Sequence, residues 1–138
     1  MTLKYSFQEI RGDKIPFVDV ILTDKQAGKK TSYRAMIDSG AFMNIFHTDI
    51  AQVLGIDLSR IKEIGFGGVK ESKQMHGKPY IVQIMIMNKG ESITFDAYIL
   101  FSDEISNDGY GLLGRRGFFD QIDEVIFNYK AGKFYLKN

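Results

Sequence analysis

The sequence predicts an all-β domain, a closed or partly closed β-barrel with one or two short helices. Three observations carry this reading. Short apolar and β-branched runs recur at close spacing along the chain. Polar stretches containing glycine separate them at hairpin lengths. Only one segment combines a helical apolar face with clear end signals.

The first strong strand is Ile15 to Leu22, and Thr23 to Lys30 reads as its hairpin loop because it is polar and contains Gly28. Ser32 to Ile37 returns as the partner. Tyr80 to Met87 has apolar residues on both faces, as a buried central strand requires. Asn88-Lys89-Gly90-Glu91 turns the chain into Ser92 to Phe101. Near the end, Glu124 to Tyr129 and Lys133 to Leu136 flank the turn Lys130-Ala131-Gly132. The helix starts at Thr48, whose hydroxyl suits an N-cap, with Asp49 at the positive end of the dipole. Ile50, Val53 and Leu54 should share its buried face, and Gly55 fits the left-handed position after it. A second short helix is expected near Gly117 to Gln121.

The composition restricts function. The chain has 138 residues, which suits a single domain spanning 1–138, and 44% are hydrophobic, enough for a core without staples. A net charge of +1 lacks the basic surplus of a dedicated nucleic-acid binder. The absence of cysteine removes disulfides and thiolate metal sites and suits a reducing compartment. His47 and His76 are far apart without ligand spacing, so surface or capping roles are expected and no metal. Gly65 to Gly68 lacks the Lys-Ser/Thr that a phosphate loop needs, and no cofactor is expected. Met1 to Ser6 shows no apolar signal segment, and Tyr80 to Met87 is too short to span a bilayer. The expectation is a cytoplasmic protein without membrane contact.

One segment carries chemistry. In Ala35-Met36-Ile37-Asp38-Ser39-Gly40-Ala41 an apolar strand runs directly into a carboxylate, a hydroxyl and a glycine. A carboxylate at the end of a buried strand is poorly solvated and needs a partner. The hydroxyl can lock the loop through hydrogen bonds, and the glycine permits close backbone approach. As a bare triplet, Asp-Ser-Gly is also a common turn sequence.

Asp38-Ser39-Gly40-Ala41 resembles the active-site signature of the retropepsin family of aspartic proteases. Two further segments match in the family's order. Ile64-Gly65-Phe66-Gly67-Gly68-Val69 is similar to its glycine-rich flap, and Gly111-Leu112-Leu113-Gly114-Arg115 to its apolar-apolar-Gly-Arg segment. The resemblance runs from about Ile15 to Leu136 and implies a retropepsin-like closed β-barrel with peptidase activity. It implies Asp38 as the catalytic carboxylate, with Ser39, Gly40 and Ala41 supporting its loop. Gly65, Phe66, Gly67 and Gly68 become the flap over substrate, with Phe66, Gly67 and Gly68 at its tip. Leu112, Leu113, Gly114 and Arg115 become the segment packed behind the site. Two departures stand out. Phe42 occupies a position where many relatives carry a polar residue that binds substrate backbone and pairs with the arginine matching Arg115. The polar stretch Ser102 to Gly109 reads as an insertion.

Peptide hydrolysis of this class needs two carboxylates sharing a proton around one water. This chain has one Asp-Ser/Thr-Gly triplet and no internal repeat. A two-fold dimer presents one residue twice at its axis, so the resemblance implies a homodimer acting on peptide or protein. Two alternatives stay open: a non-catalytic protein-binding or dimerisation module on the same fold, and an unrelated β-barrel ligand-binding protein in which Asp-Ser-Gly is only a turn.

Overall fold

Along Phe17–Asp24 every second side chain, Val18, Val20, Leu22 and Asp24, is buried, the period of a strand with one face on a core. The structure, a computed structural model of the chain, describes residues 1–66, 75–107 and 109–138. The chain order is β1 (Thr2–Ser6), β2 (Gln8–Ile10), β3 (Asp13–Ile15), β4 (Phe17–Asp24), β5 (Lys29–Ile37), β6 (Asn44–His47), α1 (Thr48–Val53) and β7 (Ile64–Phe66). There follow β8 (Met75–Asn88), β9 (Glu91–Ser102), β10 (Tyr110–Leu113), β11 (Glu124–Asn128) and β12 (Lys133–Lys137). Short 3-10 turns cover Leu58–Arg60 and Phe119–Gln121.

Six strands close a barrel in the order β4-β5-β10-β6-β9-β8, and β8 returns to pair with β4 from Val20↔Ile86 to Thr23↔Gln83. The sheet is mixed. The β5/β10 and β6/β9 pairs are parallel, and the others are antiparallel. Closure leaves the barrel strands without open edges. The longest ladder joins β8 to β9 through Lys89 and Gly90, at φ +51° and +83°. A two-residue hairpin of the I′ type needs positive φ at both positions, and glycine meets it without steric cost. Val82, Ile84, Ile86, Ile93, Ile99 and Phe101 project from this hairpin into the main core.

Each strand expected from the sequence is present with shifted bounds: Ile15 belongs to β3 and β4 starts only at Phe17, β11 ends at Asn128, and β5, β8, β9 and β12 run longer than expected. The helix differs in two respects. His47, not Thr48, is its N-cap: the imidazole Nδ1 accepts from the Asp49 N–H at 3.1 Å, while the Thr48 hydroxyl bonds Asp103. Its buried face is Ile50, Ala51 and Leu54, and Val53 is 56% exposed. Gly55 takes φ +71°, as a residue ending a helix often does.

A three-stranded sheet, β1-β12-β11, joins the chain's two ends, with Leu3↔Leu136 at its centre. The opening strand has a single buried residue, Leu3, and therefore gave no periodic signal. Leu3, Phe134 and Leu136 join the main core. Tyr5 stacks on Phe134 at 5.1 Å and 13° and donates to the Met87 carbonyl at 3.1 Å, tying this sheet to the barrel. Burial, then the negative charge of Asp19, push the Tyr5 phenol from 10.0 to about 12. The neutral phenol is the form the fold prefers, so its contribution is whole below pH 10 and is lost as pH rises toward about 12. Urea unfolding between those limits should show the native chain losing more stability than Tyr5→Phe. Parallel losses in the two proteins would remove Tyr5 from that dependence.

Candidate active site

β5 ends at Ile37, and the next six residues form neither helix nor strand. They lie alongside Leu113–Arg116, joined to it by backbone hydrogen bonds. The Asp38 N–H donates to the Leu113 carbonyl at 2.9 Å, Arg115 N–H to Ala41 at 3.0 Å and Arg116 N–H to Phe42 at 3.0 Å. Asn44 N–H then donates to the Arg116 carbonyl at 3.2 Å, and Met43 bridges Arg116 in parallel. The loop thus continues the parallel pairing of β5 with β10 beyond the ends of both strands. The approach is close: a Cβ on Gly114 would run into the Met43 carbonyl, with the Ala41 carbonyl oxygen 2.8 Å away. That steric limit explains the glycine in Leu112-Leu113-Gly114-Arg115.

Asp38 is half-buried at the start of this loop. Its Oδ1 accepts from the Gly40 N–H at 2.9 Å, and the Ala41 N–H donates to its backbone carbonyl at 3.0 Å. The Asp-Ser-Gly triplet is therefore a tight turn that orients the carboxylate. Among the described residues Oδ2 has no partner, and neither has the exposed Ser39 hydroxyl. A carboxylate with one oxygen held and the other open is suited to accept a proton or bind a water.

The remaining sequence-predicted residues lie on several elements. Leu113 is fully buried in the main core, while Leu112, on the opposite face of β10, joins a second apolar cluster with Met43, Ile45, Phe66 and Leu100. Met75 and Ile105 border that cluster. Gly65 and Phe66 lie in β7, pairing with His76 and Met75. Phe66 is 7% exposed and packs into the cluster, so it belongs to the arm of the hairpin and not to its tip. Gly67 and Gly68 lie outside the described residues. Ile105, Ser106, Tyr110 and Leu112 line a recess of about 100 Å³ beside the cluster, so the stretch between β9 and β10 forms a wall.

Arg115 and Phe42 do not meet as a pair. Arg115 is exposed, and its side chain makes no ion pair or hydrogen bond among the described residues. Arg116 instead places its guanidinium 5.2 Å from the centre of the Phe42 ring. Such a stack at an exposed site is worth about 0.5–1 kcal/mol.

Asn44 escaped the sequence reading. It is completely buried. Its Nδ2 donates to the carbonyls of Gly117 at 2.9 Å and Tyr98 at 3.3 Å, and its Oδ1 accepts from the Gly114 N–H at 3.0 Å. The signal available was a polar residue opening the apolar run Asn44-Ile45-Phe46, where a buried amide needs partners. His47 and His76 contact single carboxylates, Asp49 at 3.5 Å and Glu104 at 3.3 Å. No group of three or more metal-ligating side chains occurs among the described residues.

Neither a known protein-family profile nor a curated protein matches the sequence. Solved structures do match the fold. A retropepsin-like aspartic protease from Rickettsia conorii superposes with a TM-score of 0.60, covering 99% of this chain and 91% of that one at 15% identity. The chain has a retropepsin-like fold. The EIAV protease in complex with the inhibitor HBY-793 aligns at a TM-score of 0.42 and 18% identity, over 78% of this chain and 88% of that one. No helix among the described residues is long and apolar enough to cross a membrane.

Replacing Asn44 by Ala would strand the Gly114 N–H and weaken two carbonyls in a dry site, at about 1–3 kcal/mol for each unsatisfied group. Urea unfolding of Asn44→Ala should show a loss of that order. A change within 0.5 kcal/mol, roughly the range of ordinary surface substitutions, would contradict this bracing role.

Proposed function

We propose that the chain is an aspartic endopeptidase whose site forms between two copies, each contributing Asp38. The observation that carries this is the state of Asp38 itself: a loop-held carboxylate with one oxygen bound by Gly40 and the other open. One such group cannot both activate water and polarise a peptide carbonyl. The chain has no second Asp-Ser/Thr-Gly triplet, whereas a two-fold axis beside the loop supplies the missing carboxylate.

In this reading the two carboxylates share one proton, since like charges that close cannot both ionise. The ionised member takes a proton from the water as its oxygen bonds to the scissile carbon. The protonated member donates a hydrogen bond to the carbonyl oxygen, so charge on the tetrahedral intermediate is neutralised as it develops. Return of a proton to the amide nitrogen then allows the C–N bond to break. Ser39, whose hydroxyl has no partner among the described residues of its own chain, braces the opposing loop. The hairpin that includes β7 covers the substrate, with the cluster of Met43, Ile45, Phe66 and Leu112 as apolar wall.

A second reading has a specific observation behind it. Phe42 stands where the family resemblance implies a polar contact to substrate backbone, and it stacks with Arg116 instead. That favours a non-catalytic protein-binding or dimerisation module on the same fold. Asp38→Asn separates the two. Asn keeps the shape and the bond from Gly40, but it cannot accept the water's proton. Against a peptide library from acidic to neutral pH, the native chain should cleave and Asp38→Asn should not, at unchanged thermal midpoint. Cleavage by both proteins would remove Asp38 from the chemistry, and cleavage by neither would favour the binding module.

A further inference from the structure

An apolar patch lies on the outer face of the barrel, next to the loop that carries Asp38. Ile81 on β8 and Tyr98 on β9 are direct cross-strand partners, and they are 51% and 52% exposed. Single exposed apolar residues are ordinary on protein surfaces, but two in register beside a concavity form a contact area. The concavity is about 440 Å³, and Met43, Ala97, Tyr98, Arg116 and Gln121 are among its lining residues.

Two observations connect this groove to the candidate site. Met43 lines it and also belongs to the apolar cluster with Phe66 and Leu112. Arg116 lines it as well, and its guanidinium lies on Phe42, the residue after Ala41 of the active-site loop. The charges at the groove are uneven. Asp96 is paired with Lys25 at 3.0 Å, and Asp120 turns one oxygen to the Gly117 N–H at 2.9 Å. Arg116 has no carboxylate partner among the described residues.

We infer that this groove holds the part of a polypeptide substrate lying beyond the cleft, seating a bulky apolar side chain on Ile81 and Tyr98 and an acidic one on Arg116. The inference rests on the peptidase reading and adds a substrate class: extended, unfolded segments carrying an apolar and an acidic residue outside the cleaved bond. Met43 and Arg116, bridged to each other, connect the Asp38 loop to the groove that holds Tyr98, whose strand partner is Ile81. Apolar contact supplies affinity there, and the single unpaired guanidinium supplies sign selectivity.

Two peptides test it. Both carry the same residues around the cleaved bond; one ends at the cleft, and the other extends at both ends with leucine and glutamate. The double variant Ile81→Thr/Tyr98→Thr keeps β-forming residues at exposed positions. For this variant KM on the extended peptide should rise about tenfold with kcat unchanged, and the short peptide should be cleaved as before. Arg116→Gln should raise KM for the glutamate peptide and leave a glutamine version unaffected. It is the deciding variant if the double substitution lowers the thermal midpoint. Equal effects on short and extended peptides, or indifference of Arg116→Gln to the acid, would overturn the groove while the peptidase reading stands. Failure of the native chain to cleave either peptide would instead remove the peptidase reading, and the groove's role with it.

Discussion

The amide of Asn44 joins the parts of the candidate site. The loop from Asp38 to Met43 has no secondary structure of its own, and its shape depends on lying against Leu113–Arg116. That contact requires glycine at position 114, and the small residue leaves a backbone N–H facing inward where no strand partner can reach it. Asn44 accepts from that N–H and donates to Gly117 and Tyr98, tying the start of β6 beside the Asp38 loop, the turn after β10 and β9 together. Each bond contributes only about 0.5–1.5 kcal/mol net, but loss of the amide would leave several buried groups without partners. The position of Asp38 is thus set by polar contacts inside an otherwise apolar wall, and the Gly40 N–H orients its carboxylate.

The loop departs from the pattern it resembles at Phe42. There the resemblance implies a polar residue that pairs with the arginine at position 115. Phenylalanine leaves Arg115 in solvent and recruits Arg116 to its ring. Ring and guanidinium stack without the desolvation that a buried ion pair demands. The edge of the loop is apolar and cationic at Phe42 and Arg116.

Much of the barrel was legible because alternation and turn chemistry agree locally. The Tyr80 to Met87 run, the Asn88-Lys89-Gly90-Glu91 turn and the Ser92 to Phe101 run each pointed to one hairpin, and the structure contains it. The terminal sheet was half legible. β11 and β12 carry a hairpin signal, whereas β1 buries only Leu3 and is recognised by pairing with residues more than a hundred positions away. The helix cap was misplaced because Thr48 and His47 both offer acceptors, and tertiary contact with Asp103 draws the threonine away. Asp38, Ser39 and Gly40 were legible as a motif, since a tight turn after an apolar strand has a local signature. Asn44 was not, because its three partners come from segments far along the chain. The position of Phe66 followed from a contact network and not from its flanking glycines.

The central claim is that the site needs Asp38 from two copies at once, and subunit mixing tests it most directly. The native chain is mixed with Asp38→Asn at constant total concentration and allowed to exchange, and peptide cleavage is followed against the native fraction. A site built from both copies leaves mixed dimers inactive, so activity follows the square of that fraction and an equal mixture retains about a quarter. Activity falling in direct proportion, with about half remaining in the equal mixture, would mean that each chain works alone and would contradict a shared pair of carboxylates.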